Sequence, residues 1–272
     1  MSTKTRGITL VKLGGSVITD KGHAFTARLD TIYRLAEEIH HSIHDCDLRL
    51  IVGHGGGSFP HTVAQKHATQ RGITGSESCR GIALVQEAAA RLNRIVVKAL
   101  IKSGLNAISI QPSGAAISEN SRIVKWDLDV VERLLDCNLV PVVYGDVSID
   151  LGQGCCILST EEIFRYFAAK LPVERIVIGS NVNGIFDKDP NIFQDAQQIP
   201  LITPEKFDQV LCFLGKSTGI DVTGGMRSKV AALLEIVKRK NSIKCSIIDI
   251  TRPKNLEDAL CGRKIIGTTI QG

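Results

Sequence analysis

Aromatic side chains are scarce, at 4% of 272 residues, so any core must be built from Ile, Val, Leu and Ala. No CxxC pair occurs among the eight cysteines, and their spacing is irregular. That leaves no metal or redox spacing. With Cys212 set in the apolar run Val210-Leu211-Cys212-Phe213, the expectation is reduced core thiols in a cytoplasmic protein. No apolar stretch reaches membrane-spanning length, and no signal-peptide pattern precedes the first apolar run. No long basic run exists either. The densest cluster, Lys238-Arg239-Lys240, reads as a solvated helix C-terminus, so neither nucleic acid nor a membrane is an expected partner. His40 and His44 lack a third ligand and read as exposed helix histidines. No metal-ligating set is expected.

What is present suits a soluble enzyme. Hydrophobic residues make up 43% and charged residues 22%, and the net charge of +5 favours small anionic substrates. Apolar runs at Ile8–Leu13, 48–52, 105–110, 139–143, 175–178 and 245–248 read as strands. Helical spacing marks 30–43, 81–103, 127–136, 161–169, 204–211, Gly225–Arg239 and 256–260. Residues 115–118 and 123–126 read as the two arms of a hairpin. Strands alternating with helices imply an α/β fold with a mainly parallel sheet covered on both faces. With no Pro- or Ser-rich linker, the halves are expected to share one sheet, with a soft boundary near residue 150.

Two glycine clusters, Gly14-Gly15-Ser16 and Gly55-Gly56-Gly57-Ser58, each follow an apolar strand. Ligands of parallel sheets bind at strand C-termini, where glycines let backbone N–H groups approach phosphate oxygens. Two such loops call for two phosphate-bearing ligands, or one with several phosphates. The usual fingerprints fail. Gly215-Lys216-Ser217 resembles a Walker tail, but Val210 stands where its first glycine belongs, and Ser58 or Pro60 spoils a GxGxxG match.

Three lysines complete the pattern. Lys12 sits inside the first apolar run, a costly place unless it meets an anion. Lys229 falls in the first turn of a helix, where its charge opposes the macrodipole unless an anion is bound. Lys21, in the turn Thr19-Asp20-Lys21, would alone read as an exposed turn residue. The constellation gives each of them meaning.

These residues resemble the amino-acid kinases. Val11-Lys12-Leu13-Gly14-Gly15-Ser16 is similar to their opening motif, and Gly55-Gly56-Gly57 to their second glycine loop. Residues 180–187 resemble the family's TDVDGVYD nucleotide segment, and Gly225-Met226-Arg227-Ser228-Lys229 its GMxxK motif. The spans 12–21 and 55–61 (GGGSFPH) look like the isopentenyl phosphate kinase subgroup, with His61 the informative residue. Fosfomycin kinases share that histidine, so a phosphonate kinase, or a UMP kinase, remains an alternative. A non-catalytic nucleotide- or anion-binding protein is a further one.

The resemblance implies a three-layer αβα sandwich as a single domain. Its N-terminal lobe, about 1–150, would bind the phosphate acceptor, and residues 151–272 would bind ATP. It also implies Mg²⁺, a homodimer, and ATP-dependent phosphorylation of isopentenyl phosphate. Catalytic roles pass to Lys12, Lys21, His61 and Glu161. Acceptor binding passes to Gly55, Gly56, His61 and Thr160. Nucleotide binding passes to Lys12, Gly14, Gly15, Ser16, Gly57, Asn181, Phe186, Gly225 and Lys229. Departures stand at Pro60, at Thr160-Glu161-Glu162 in place of Gly-Asp-Asp, and at Asn181 and Asn183 in place of Asp. Glu161 keeps the charge the chemistry needs. An apolar acceptor tail would need a wall, which Ile82, Leu84, Val85 and 88–90 could supply, though core packing explains each equally well.

Overall fold

The computed structural model describes residues 6–188, 192–214 and 225–272; Gly215-Lys216-Ser217 and the Cys212 side chain fall outside them. The strands are β1 (Ile8–Leu13), β2 (Arg49–His54), β3 (Ala107–Ser109), β4 (Ile117–Glu119), β5 (Arg122–Lys125), β6 (Val140–Tyr144) and β7 (Asp146–Asp150). They continue with β8 (Gly154–Leu158), β9 (Val173–Ser180), β10 (Ile185–Phe186), β11 (Gln198–Ile199), β12 (Leu201–Ile202), β13 (Lys244–Asp249) and β14 (Gly267–Ile270). The helices are α1 (Gly15–Ile18), α2 (Leu29–Cys46), α3 (Pro60–Lys66), α4 (Ser76–Lys102) and α5 (Pro112–Ala115). After them come α6 (Asp129–Asp136), α7 (Thr160–Lys170), α8 (Phe207–Leu214), α9 (Gly225–Arg239) and α10 (Asn255–Leu260).

Eight strands form the central sheet, in the order β12-β14-β13-β9-β1-β2-β6-β3. Every neighbouring pair is parallel except β13–β14. Alternation along β1 sorts the layers. Val11 and Leu13 pack with Ile32, Leu35 and Ile39 of α2 and with Leu92 and Val96 of α4. Ile8 and Leu10 pack on the other face with Ile163, Phe164 and Phe167 of α7 and with Val230, Leu233 and Val237 of α9. Apolar residues spaced three and four apart give each helix one stripe to bury. Both faces of the sheet are therefore covered, as a parallel sheet requires, and the fold is the expected αβα sandwich.

A smaller sheet, β5-β4-β7-β8, is not visible in the sequence pattern beyond its β4–β5 hairpin. The tip of the β7–β8 hairpin falls near residue 150. There the Asp150 carboxylate accepts from the N–H groups of Asn120, Ser121, Gly152 and Gln153. Among the described residues no helix is long and apolar enough to cross a membrane.

The cysteine expectation needs correction. Cys46, at the end of α2, and Cys261, just after α10, form a disulfide, with Cα atoms 5.7 Å apart. The two are separated by 215 residues, and the packing of α10 on α2 brings them together. Cys155, Cys156 and Cys245 are buried free thiols, whereas Cys79 and Cys137 are exposed. Of the paired histidines, His44 is exposed but His40 is half-buried, its ring lying against Gly104.

Candidate active site

β1 and β2 are parallel neighbours with Leu13 opposite His54, so their glycine loops leave the same sheet edge side by side. The loops are built on each other. A Cβ at Gly15 would lie 2.5 Å from the Gly57 nitrogen, and one at Gly55 would lie 2.9 Å from the Gly15 nitrogen. Gly57 takes φ +54, a left-handed conformation glycine adopts without strain. Thr19 ties the pair together: its hydroxyl donates to Gly15 O at 2.7 Å and accepts from Ser58 N–H at 3.0 Å.

The period of β1 places Lys12 on the face of Ile8 and Leu10, toward α7. There its Nζ meets Glu161 Oε1 at 2.5 Å, with both side chains buried. Burial alone would push the Glu161 carboxyl up. The Lys12 charge and hydrogen bond, joined by the charge of Lys229, outweigh it and hold the carboxyl below its ordinary value. Lys12 thus has the anionic partner that its apolar run demanded.

Ser159 caps α7 by accepting the Glu162 N–H at 3.1 Å. In the first turn, Thr160 donates its hydroxyl to His54 O at 2.7 Å. Its methyl and the Phe164 ring fill the space beside Gly53, where a Cβ would lie 2.6 Å from one and 2.8 Å from the other. Gly53→Ala should therefore cost about 1–3 kcal/mol by forcing α7 off the sheet. Urea denaturation reads this, and an unchanged midpoint would contradict it. Glu162 is structural: it accepts from Arg122, from the Ile123 N–H and from Arg165, fastening the β4–β5 hairpin to α7.

A cleft of about 450 Å³ opens above these elements. It is lined by Lys12, Gly14, Gly15, Ser16, Lys21, Gly55, Gly56, Gly57, His61, Thr160, Glu161 and Lys229, so most of the residues singled out from sequence meet in one place. His61 stands in the first turn of α3, a helix the sequence did not reveal, behind Pro60 at its start. Asn181 sits beside the first loop, where the Ser16 hydroxyl donates to its Oδ1 at 3.4 Å, but it does not line the cleft. Phe186, paired with Gln198 in β10–β11, does not line it either. Gly225 opens α9, one turn before Lys229. Of the proposed apolar wall, Val85 faces the cleft with Ala64 and Ile157, whereas Ala88 and Ala89 are buried in the interior.

Sequence reasoning misses Asp146. It lines the cleft, is 1% exposed, and accepts the Ser113 N–H at 3.0 Å through Oδ2. Its Oδ1 has no hydrogen-bond partner among the described residues, and burial raises the carboxyl above its ordinary value. The clue available in the sequence is Gly145-Asp146, a glycine at the end of an apolar run.

The Amino acid kinase family profile matches residues 7–249. The isopentenyl phosphate kinase of Methanothermobacter thermautotrophicus is 33% identical over 270 residues, covering 97% of this chain and 98% of that protein. That of Methanocaldococcus jannaschii is 31% identical, with 97% and 98% covered. A solved isopentenyl phosphate kinase superposes with a TM-score of 0.82 at 30% identity, over 97% of this chain and 100% of the other. From the strand order, the facing glycine loops and these matches, the chain belongs to the amino acid kinase family, on the branch that holds the isopentenyl phosphate kinases.

Proposed function

We propose that this protein transfers the γ-phosphoryl group of ATP to the phosphate of isopentenyl phosphate, giving isopentenyl diphosphate. One observation carries the reading. Three lysines, a histidine and two backbone-facing glycine loops line a single cleft that also presents the apolar side chains Ala64, Val85 and Ile157. Phosphoryl transfer needs positioning and charge neutralisation more than covalent help, and repulsion between two polyanions is its main obstacle. The acceptor phosphate, with a second pKa of about 6, is already largely dianionic at neutral pH, so no strong base is required.

In this scheme the N-terminal lobe, to about residue 150, holds the acceptor through Gly55, Gly56 and His61, with Thr160 fixing α7 behind them. The rest of the chain holds ATP through Lys229, Asn181, Phe186 and Gly225, joined across the boundary by Gly14, Gly15, Ser16 and Gly57. Lys12 bridges the two ligands and Glu161 orients it. Lys21 meets the charge that develops on the transferring group. His61 donates a hydrogen bond to the acceptor phosphate.

Among the described residues no group of three or more His, Cys, Asp or Glu side chains could cage a metal. The carboxylates of Glu161 and Glu162 are engaged by Lys12 and by arginines. This donor set fits Mg²⁺ carried in by substrate phosphates and water, its preferred coordination, where it neutralises charge.

An ADP-release assay comparing isopentenyl phosphate, dimethylallyl phosphate, fosfomycin and UMP tests the reading. Turnover highest with isopentenyl phosphate supports it, and preference for fosfomycin or UMP overturns it. His61→Ala should raise the acceptor KM by about 10- to 100-fold, the worth of one hydrogen bond to a charged group, and leave the ATP KM almost unchanged. An equal loss for ATP would contradict the assignment.

A further inference from the structure

Behind the second glycine loop runs a buried polar chain that the scheme above does not use. His54 ends β2, is 1% exposed, and stacks on Tyr144 with ring centroids 5.5 Å apart and planes 8° from parallel. Ser109 of β3 donates its hydroxyl to Asn93 Oδ1 at 2.6 Å. The Asn93 amide nitrogen therefore faces His54 Nε2, at 3.2 Å. An amide NH₂ can only donate, so Nε2 is the bare nitrogen of the ring and Nδ1 carries the hydrogen. That Nδ1–H donates to Gly55 O at 3.1 Å. Burial pushes the imidazole pKa down to about 4, and the nearby Lys12 charge acts in the same sense, so the ring stays neutral around pH 7.

Three glycines in a row cannot fix their own peptide planes. A trans peptide carries its C=O and the following N–H on opposite sides. Holding the Gly55 carbonyl back toward the buried imidazole therefore turns the Gly56 N–H the other way, into the cleft. The Gly56 nitrogen lies on that side, 3.8 Å from where a Cβ of the cleft residue Gly145 would stand. No group among the described residues accepts a hydrogen bond from the Gly56 N–H. The neighbouring Gly55 N–H is taken by Leu13 O at 3.0 Å.

We propose that His54, locked in one tautomer by Asn93 and Ser109, is a positioning residue that aims the Gly56 N–H at the acceptor phosphate. This role rests on the phosphate-binding cleft proposed above. The plain alternative is a core histidine that only packs on Tyr144, and two substitutions separate them. His54→Phe keeps an aromatic ring on Tyr144 and deletes the donor. His54→Asn places an amide N–H near the position of Nδ1–H.

The test is the ¹⁵N,¹H spectrum of the full chain titrated with inorganic phosphate, alongside steady-state kinetics. Phosphate should shift the Gly56 amide proton downfield in the wild type and in His54→Asn, and several-fold less in His54→Phe. In His54→Phe, kcat/KM for the acceptor should fall about tenfold with the ATP KM unchanged, the effect of one misdirected charge-assisted hydrogen bond. If His54→Phe does not fold, Asn93→Leu, which releases Nε2 and lets the ring change tautomer, should show the same loss in smaller measure. A wild-type response of the Gly56 amide in the folded variant, or a His54→Asn protein as impaired as His54→Phe, overturns the proposal. A wild-type protein whose Gly56 amide answers phosphate, but which releases no ADP with isopentenyl phosphate, overturns the acceptor assignment and supports the positioning role.

Discussion

Lys21→Ala should lower kcat by about two to three orders of magnitude, the usual cost of removing one preorganised group that stabilises transition-state charge. The melting temperature should barely move, because the side chain is exposed in a turn and exposed substitutions change stability by about 0.5 kcal/mol or less. The local geometry separates the two effects. The neighbouring Asp20 carboxylate accepts from the Gly22 N–H and contacts His23 Nδ1, each at 2.9 Å, so the turn is held without Lys21. Among the described residues no ion pair engages the Lys21 ammonium, which nonetheless reaches the cleft that Lys12 and Lys229 line. A charge used mainly on the transferring group acts on kcat and leaves both KM values near their original levels. ADP-release kinetics and a thermal melt of the same preparation decide it. Unchanged turnover removes Lys21 from the transition state.

Features that are local in the chain are legible in the sequence. β1 shows itself as a short apolar run in which Lys12 is the one costly residue, and that cost points to an anion. α2 and α4 follow from spacing alone. The glycine loops are readable because close backbone approach leaves no room for Cβ, a demand met residue by residue. Features that depend on distant partners are not readable. The hairpin β7–β8 escapes because its buried Ser148 and Asp150 look like surface residues until the turn they hold is known. α3 is hidden behind three glycines and a proline that read as loop. His54 reads as part of the glycine loop after the 48–52 strand, since its meaning lies in Asn93, 39 residues away, and in Ser109 beyond it. The Cys46–Cys261 bridge is the same case over a longer span. The pairing of Lys12 with Glu161, 149 residues apart, comes from motif order and not from any local rule.

That pair supports the other large expectation. Glu161→Gln keeps the side-chain shape but leaves the Lys12 ammonium, 7% exposed, without its counter-ion. Breaking a buried ion pair from one side costs about 3–5 kcal/mol, because the remaining charge stays desolvated. The double variant Lys12→Met, Glu161→Gln should recover most of that stability, since no charge is left buried, while turnover stays abolished because Lys12 is gone. Recovery of stability without recovery of activity separates the folding role of the pair from its chemical one. The pH dependence has a definite sign. The folded Glu161 pKa lies below its ordinary value, so the unfolded chain binds the proton more readily, and the pair's contribution is complete above about pH 4.3, the unfolded glutamate value. It fades as pH falls through the lower folded value. Wild type and Glu161→Gln should therefore differ most at neutral pH and converge in acid. Urea denaturation at pH 7 and below pH 4 measures both ends. Equal stability of the two proteins at pH 7, or a double variant no more stable than Glu161→Gln, would mean that Lys12 is not held by this carboxylate, and the cleft would lose the group that aims its central lysine.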